Sequence, residues 1–331
     1  ETIRAFGLEQ LQVAGELRLA QDAHAAYFTT LTEVSYQGDA GTTTGASTVL
    51  QRSQRELANV RAAIAHLIAS NQGEQALRLI GNTAWYVQVN FQEGRQWLEW
   101  ALAQASPEPT VARGVALGAL AAMLWAQGEY VAAEIIVEEG LAVARLLGDP
   151  LALASSLDIQ GLIVASHRRD NTRVRIIKTE ALELWRTVGE RWREACALID
   201  LAYAEFALGN HQVASARSAE ALTLARELAE PRGLAMALVQ GGRFALGRGD
   251  DQAALSAFSE ALAHCQACGD RWYLVGVLSG LAEVASRHEK EQTAALILGV
   301  IDGIARETDA ERQPIRGANY DRAAATVRDH L

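Results

Sequence analysis

Three short stretches carry residue types from which a site can be built. HCQAC, His264 to Cys268, sets an imidazole and two thiols side by side, which is zinc-ligand chemistry. GDAGTTTGAST, Gly38 to Thr48, has the glycines that let backbone amides cradle a phosphate. From His167 to Lys178 the chain gathers Arg168, Arg169, Arg173, Arg175 and Lys178 against the single acid Asp170, in a protein of net charge −10. Guanidinium clusters of this kind receive carboxylates and phosphates.

The first two stretches fail the requirements of their chemistry. Tetrahedral zinc needs four ligands, and the remaining thiol, Cys196, lies far upstream. HCQAC is therefore expected to place its sulfurs in a core, where cysteine behaves as a small hydrophobe. A phosphate loop follows a strand and closes on a lysine; GDAGTTTGAST has neither and reads as a linker. The glycines of GGRFALGRG, Gly241 to Gly249, lack the βαβ setting that a dinucleotide requires and read as packing and turn positions. Ser, His and Asp are scattered without a strand-turn-helix elbow, and the histidines are expected on surfaces or in turns. No catalytic residue, metal or cofactor is expected.

Half of the 331 residues are hydrophobic, dominated by Ala and Leu, with 6% aromatics and five prolines. That composition suits helices. An acidic chain has no general basic field for phosphates, so direct nucleic-acid binding is not expected. Three cysteines without framework spacing fit a reducing cytoplasm, and no apolar run reaches the ~18 residues of a membrane span. The chain opens at Glu1 in a helical pattern and is read as a piece of a longer protein.

The elements that position the candidate residues repeat. EEGLAVAR begins at Glu138, TEALELWR at Thr179, AEALTLAR at Ala219 and SEALAHCQ at Ser259, giving offsets of 41, 40 and 40. Gly148, Gly189, Ala229 and Gly269 keep the same beat, as do the polar turns ending at Glu129, Asp170, Asn210 and Asp250. Each unit therefore reads as helix A, a turn, helix B and a second turn. Mostly small residues fall at fixed distances from the turn: Ala121, Leu162, Ala202, Gly242 and Ala282 before it, then Ala133, Val174, Ala214, Ala254 and Ala294, and Gly140, Ala181, Ala221 and Ala261 after it. Small side chains on facing ridges let paired helices approach closely. The spacing resembles the tetratricopeptide pattern with longer helices. The expected fold is all-α, a right-handed superhelical array of antiparallel helix pairs. Residues 1–36 read as an N-terminal helical segment, 37–49 as a flexible Gly/Thr-rich loop, 50–305 as the array and 306–331 as a capping helix.

TIRAFGLEQLQVAGE, HAAYF, RELANVRAAI (Arg55 to Ile64), EGRQWLEWAL (Glu93 to Leu102) and the repeated EAL segments together resemble the C-terminal helical region of bacterial signal-transduction ATPase regulators. These are the maltose-regulator-like and antibiotic-regulator-like group, with LuxR-type outputs. The resemblance implies a sensor or interaction arm, joined in such proteins to a nucleotide-binding core and an output domain, that binds an inducer or a partner. The alternative is a free-standing scaffold or peptide-receptor-like protein.

Groove-facing positions carried over from tetratricopeptide stacks are Tyr86 and Trp125, then Ile159, Ile163, Ser166 and His167, then Ile199, Tyr203 and Phe206, and finally Met236, Val239, Arg243 and Glu283. An apolar concave surface with aromatic and polar anchors suits a peptide or small molecule. Beside it, Arg168, Arg169, Arg173, Arg175 and Lys178 form a candidate docking patch for an acidic partner, including the protein's own further domains. Lys178 occupies the slot held by Val137 and Phe258 in other copies, so its unit is packed differently or its stem reaches out to water.

Overall fold

A computed structural model of the chain describes residues 2–37, 46–83, 91–229, 231–269, 271–307 and 317–330. All regular structure among them is helical. Two helices, α1 (Thr2–Val13) and α2 (Leu17–Gln37), lead into α3 (Ala46–Ala69), α4 (Gly73–Thr83) and α5 (Phe91–Gln104). Five A/B pairs follow: α6 (Val111–Ala126) with α7 (Tyr130–Leu147), α8 (Pro150–Ile163) with α9 (Asn171–Val188), α10 (Arg191–Ala207) with α11 (His211–Glu227), α12 (Pro231–Gly247) with α13 (Asp251–Cys268), and α14 (Arg271–Arg287) with α15 (Glu291–Glu307). The last helix, α16 (Gly317–His330), packs on α14 and α15.

Local chemistry sets the boundaries. Thr110, Asp149, Asp170 and Asp250 each accept a hydrogen bond from the backbone N–H three residues on, satisfying a donor that the first helical turn leaves open. Pro150 opens α8, where its missing N–H costs nothing. Left-handed residues end the B helices: Gly148 and Gly189 carry φ of 65° and 80°. In the third copy the same conformation falls to Ala229, at φ 50°, at a steric cost of about 1 kcal/mol.

The small residues meet as the sequence requires. Ala121, Ala133, Ala181, Ala202, Ala214, Ala221, Ala254, Ala261, Ala282 and Ala294 have no exposed surface. Phe258 of α13 enters a hole between α12 and α14, where a Cβ on Gly242 or Gly280 would stand 2.7 or 2.2 Å from the ring. The extra residue of the 41-residue spacing is absorbed at the end of α8, where Val164–Arg168 form a π turn. Single-residue insertions into a helix are accommodated in this way.

The two ends differ from their expected bounds. Gln37 still belongs to α2, and Ala46 to Thr48 already form the first turn of α3, so residues 37 and 46–49 are helical rather than loop. The capping segment begins later than expected, because α15 runs to Glu307. Of the histidines, His66 is not at the surface: it is enclosed between α3 and α2, with Nε2 2.6 Å from Asp22 Oδ1. Apolar helix faces alone do not reveal such a pair.

Candidate ligand groove

One position repeats along the A helices. Seven residues before each turn stand Ile163 on α8, Tyr203 on α10, Arg243 on α12 and Glu283 on α14. Ile163 is sealed between units, whereas Tyr203 is 46% exposed. Glu283 is 2% exposed because Arg322 of α16 covers it with paired bonds, Nε to Oε1 at 2.9 Å and Nη2 to Oε2 at 2.8 Å. Arg287 adds a third bond at 2.7 Å and also reaches Asp251 at 3.0 Å. Such charge-assisted forks fix α16 against α14.

Arg243 lies between Tyr203 and Glu283 in this row and is in a different state. Its Nε is buried with no hydrogen-bond partner among the described residues. Burial pushes its guanidinium below the ordinary arginine value, and repulsion from Arg322 adds to this, while Tyr203, Tyr273 and Glu283 oppose it. Gly276 of α14 leaves room beside it, since a Cβ there would stand 3.7 Å from Arg243 Nη2. Gln240, Ser286 and Asn319 likewise each keep a buried side-chain atom without a hydrogen-bond partner among the described residues. All four residues are on α12, α14 or α16. Buried polar atoms are nearly always satisfied, so their concentration here sets this end of the array apart.

The other expected groove positions divide. Ile159, Ile163, Ile199 and Val239 are buried and close the joints between adjacent units, so they are not groove lining. Phe206 stacks on Phe244 at 4.6 Å and packs over Gly247, joining α10 to α12. Trp125 is committed to the joint between α6 and the π turn, where its Nε1 donates to Ser166 Oγ at 2.9 Å. His167 is exposed beside Tyr130, with ring centroids 5.6 Å apart. Met236 sulfur is taken by the Tyr273 hydroxyl at 2.7 Å. Tyr86 lies outside the described residues. Of the expected positions, Tyr203 keeps an exposed ring and Arg243 a buried Nε without a hydrogen-bond partner among the described residues.

The basic patch shrinks as well. Lys178 is not on the surface and not directed to water: its amine is buried, 2.9 Å from Asp158 Oδ1 and 2.6 Å from Asp200 Oδ2. Trp185 Nε1 donates to the other Asp158 oxygen at 2.9 Å. Gly161 makes space for the stem, since a Cβ there would stand 2.5 Å from Lys178 Cε. Burial opposes the charged amine, but the two carboxylates outweigh it and hold Lys178 above its ordinary value. Arg168 is forked onto Glu134 at 2.8 and 2.9 Å, tying the π turn to α7. Arg169, at a left-handed position, and Arg173 remain exposed, and Arg175 is half-buried. Periodicity alone did not disclose this triad. The signal was present in Asp158 and Asp200, two acids on otherwise apolar A-helix faces.

HCQAC places Cys265 and Cys268 in the core, and Cys268 Sγ lies 3.7 Å from the Cys265 carbonyl. Burial raises the Cys196 thiol to about 12, which holds it in the unreactive protonated form.

No family model matches the chain. Over 202 residues, 58% of this chain, it is 28% identical to proteins of Mycobacterium bovis and Mycobacterium tuberculosis named as HTH-type transcriptional regulators. The match spans 22% of those relatives' length. Among solved structures, a Rap protein complexed with competence and sporulation factor aligns with a TM-score of 0.62 and 15% identity, covering 99% of this chain and 95% of that one. A signal-transduction ATPase of Pyrococcus horikoshii with a tetratricopeptide repeat sensor aligns with a TM-score of 0.50 and 14% identity, covering 85% of this chain and 48% of that one. No described helix is long and apolar enough to cross a membrane. The chain is a tetratricopeptide-like helical repeat array, similar in sequence to part of HTH-type transcriptional regulators and in fold to part of a signal-transduction ATPase that carries a tetratricopeptide repeat sensor.

Proposed function

We propose that this array is the non-enzymatic sensor arm of a larger cytoplasmic regulator, binding an effector or a partner peptide on the inner face at Tyr203 and Arg243. The observation that carries the reading is the buried Arg243 Nε, left without a partner in a row where Glu283 is fully engaged. A fixed, incompletely satisfied polar group beside an exposed aromatic ring is a recognition surface. The sequence similarity to transcriptional regulators and the fold shared with a tetratricopeptide sensor support the regulatory role. The further domains of the same protein are a second class of partner, for which exposed Arg169 and Arg173 offer charge. Nucleic-acid contacts would belong to those domains and not to this acidic array.

A thermal-shift panel of metabolites and short peptides tests the site. A ligand at a hundred times its dissociation constant stabilises by about 2.7 kcal/mol, or roughly 4 °C for a chain of this size. That shift is expected to vanish in Tyr203→Ala and Arg243→Ala. A panel without a hit, or hits that survive both changes, would contradict the site.

A second reading, a stand-alone peptide receptor, is favoured by the near-complete mutual coverage with the peptide-bound Rap structure. The size of the native protein in cell extract separates the two. A product carrying an ATPase core supports the regulator arm, and one ending with the array supports the receptor.

A further inference from the structure

The outward face of the last B helix departs from its sister helices in charge. Counted from the turn residues Glu129, Asp170, Asn210, Asp250 and Lys290, the tenth position onward is Glu139, Glu180, Glu220, Glu260 and Val300, and it is exposed in all five copies. Four glutamates give way to a valine. The sixth position is Ile135, Ile176, Ala216, Ser256 and Leu296, also exposed throughout. Leu296 and Val300 are 74% and 54% exposed and stand one turn apart on α15. Beside them Gly299 and Gly303 leave the backbone bare, for a Cβ on either would find no neighbouring atom within 4 Å. The other exposed positions of α15 before Gly303, Gln292 and Thr293, are uncharged. Asp302 is turned to α16, where the Tyr320 hydroxyl donates to its Oδ1 at 2.8 Å. Ionisable residues otherwise lie only at the two ends of the stripe and in mixed sign, Glu289, Lys290 and Glu291 before it and Arg306 and Glu307 after it.

An apolar stripe exposed on an otherwise charged surface marks a contact, and its charge selects the occupant. A two-fold contact sets the same patch of two copies face to face. Made through α7, α9, α11 or α13, such a contact would bring glutamate toward glutamate in a chain of net charge −10, and like charges at close range repel. Among the five B helices α15 alone meets its own copy without that opposition. Leu296 and Val300 can then bury against the second copy, and the two glycines, which weaken a helix standing alone, let the helix axes approach near the short end of the usual range. We infer that the face of α15 bearing Leu296, Gly299, Val300 and Gly303 pairs two copies of this chain. The inference goes beyond the inner-face site and does not depend on it, since Tyr203 and Arg243 are on A helices.

One helix face buries less than the interfaces of permanent dimers, so the mass of the full chain is read by sedimentation over a concentration series reaching about 200 µM. The parent is expected to rise from 35.6 kDa toward twice that mass. Val300→Glu restores the residue of the sister copies and is expected to hold the chain at the monomer mass at every concentration. Leu296→Ser, the residue of the α13 copy, is expected to weaken association by roughly tenfold through the lost apolar area. Ile176→Glu, which charges a similarly exposed residue of α9, is expected to leave association intact. All three positions are solvent-exposed, and a helical circular-dichroism spectrum shows that each variant folds; should one α15 variant lose it, the other carries the test. A parent that stays monomeric throughout overturns the inference, as does association that survives both α15 changes. Association lost in Ile176→Glu but kept in the α15 variants also overturns it and moves the contact to α9. None of these outcomes bears on the thermal-shift test of Tyr203 and Arg243.

Discussion

At the scale of single residues, the chain's two unusual cations have opposite fates. Lys178 is fully paired, to Asp158 and Asp200, and Arg243 is not. Removing one member of a buried charge set leaves the others uncompensated and typically costs 3–5 kcal/mol, by about the amounts measured for other buried pairs, whereas replacing the whole set can be nearly neutral. Lys178→Met is therefore expected to lose about 3–5 kcal/mol in urea unfolding. The triple change Lys178→Met, Asp158→Asn and Asp200→Asn is expected to recover most of it. A single variant as stable as the parent would show that the triad does not hold α8, α9 and α10 together. The slot comparison exposes the logic: in the Phe258 copy the residue matching Asp200 is Gly280. An apolar knob meets a bare helix where a charged knob meets an acid. That pairing is written in the sequence, but it becomes legible only once the repeat register says which residues face each other.

Helices and turns were the most legible scale. The caps, the small-residue slots and the π turn all follow from markers that can be counted along the chain. Ala229 is the exception in its own register: it takes the left-handed conformation that Gly148 and Gly189 adopt freely. Ala229→Gly should stabilise the array by about 0.5–1 kcal/mol, the relief of that strain less the added backbone entropy; a destabilised variant in thermal unfolding would contradict this. The pair between α2 and α3 adds a pH signature. His66 and then Gln72 hold the Asp22 carboxyl below its ordinary value, so its contribution is present above that value and is lost as pH falls through the lowered one. Thermal midpoints measured from pH 6 down to pH 3 should fall less steeply in Asp22→Asn than in the parent. An identical slope would remove Asp22 from the account. Neither the Asp22 pair nor the Arg322 clamp shows in helical periodicity, because both join elements distant in sequence.

Across the whole molecule, repetition explains the architecture and departures from repetition mark the proposed site. The position holding Ile163, Tyr203, Arg243 and Glu283 passes from sealed core to aromatic surface to open cation to clamped acid. A uniform solenoid would carry one residue type there. The later members come together: Tyr203 on α10 and Arg322 on α16 both bear on the charge of Arg243, and α3 from the first part of the chain reaches α12. The sequence located this row by its tetratricopeptide register. It could not tell which members face a ligand, because packing between units decides which side chains are covered. Hydrogen-exchange mass spectrometry of the full chain, with and without a saturating concentration of the metabolite or peptide that stabilises it in the thermal-shift panel, measures the placement directly. Slowed exchange on α10, α12 and α14 with unchanged α11 and α13 is the predicted result. Protection centred on the B helices, or none on α12, would contradict an inner-face site at Tyr203 and Arg243.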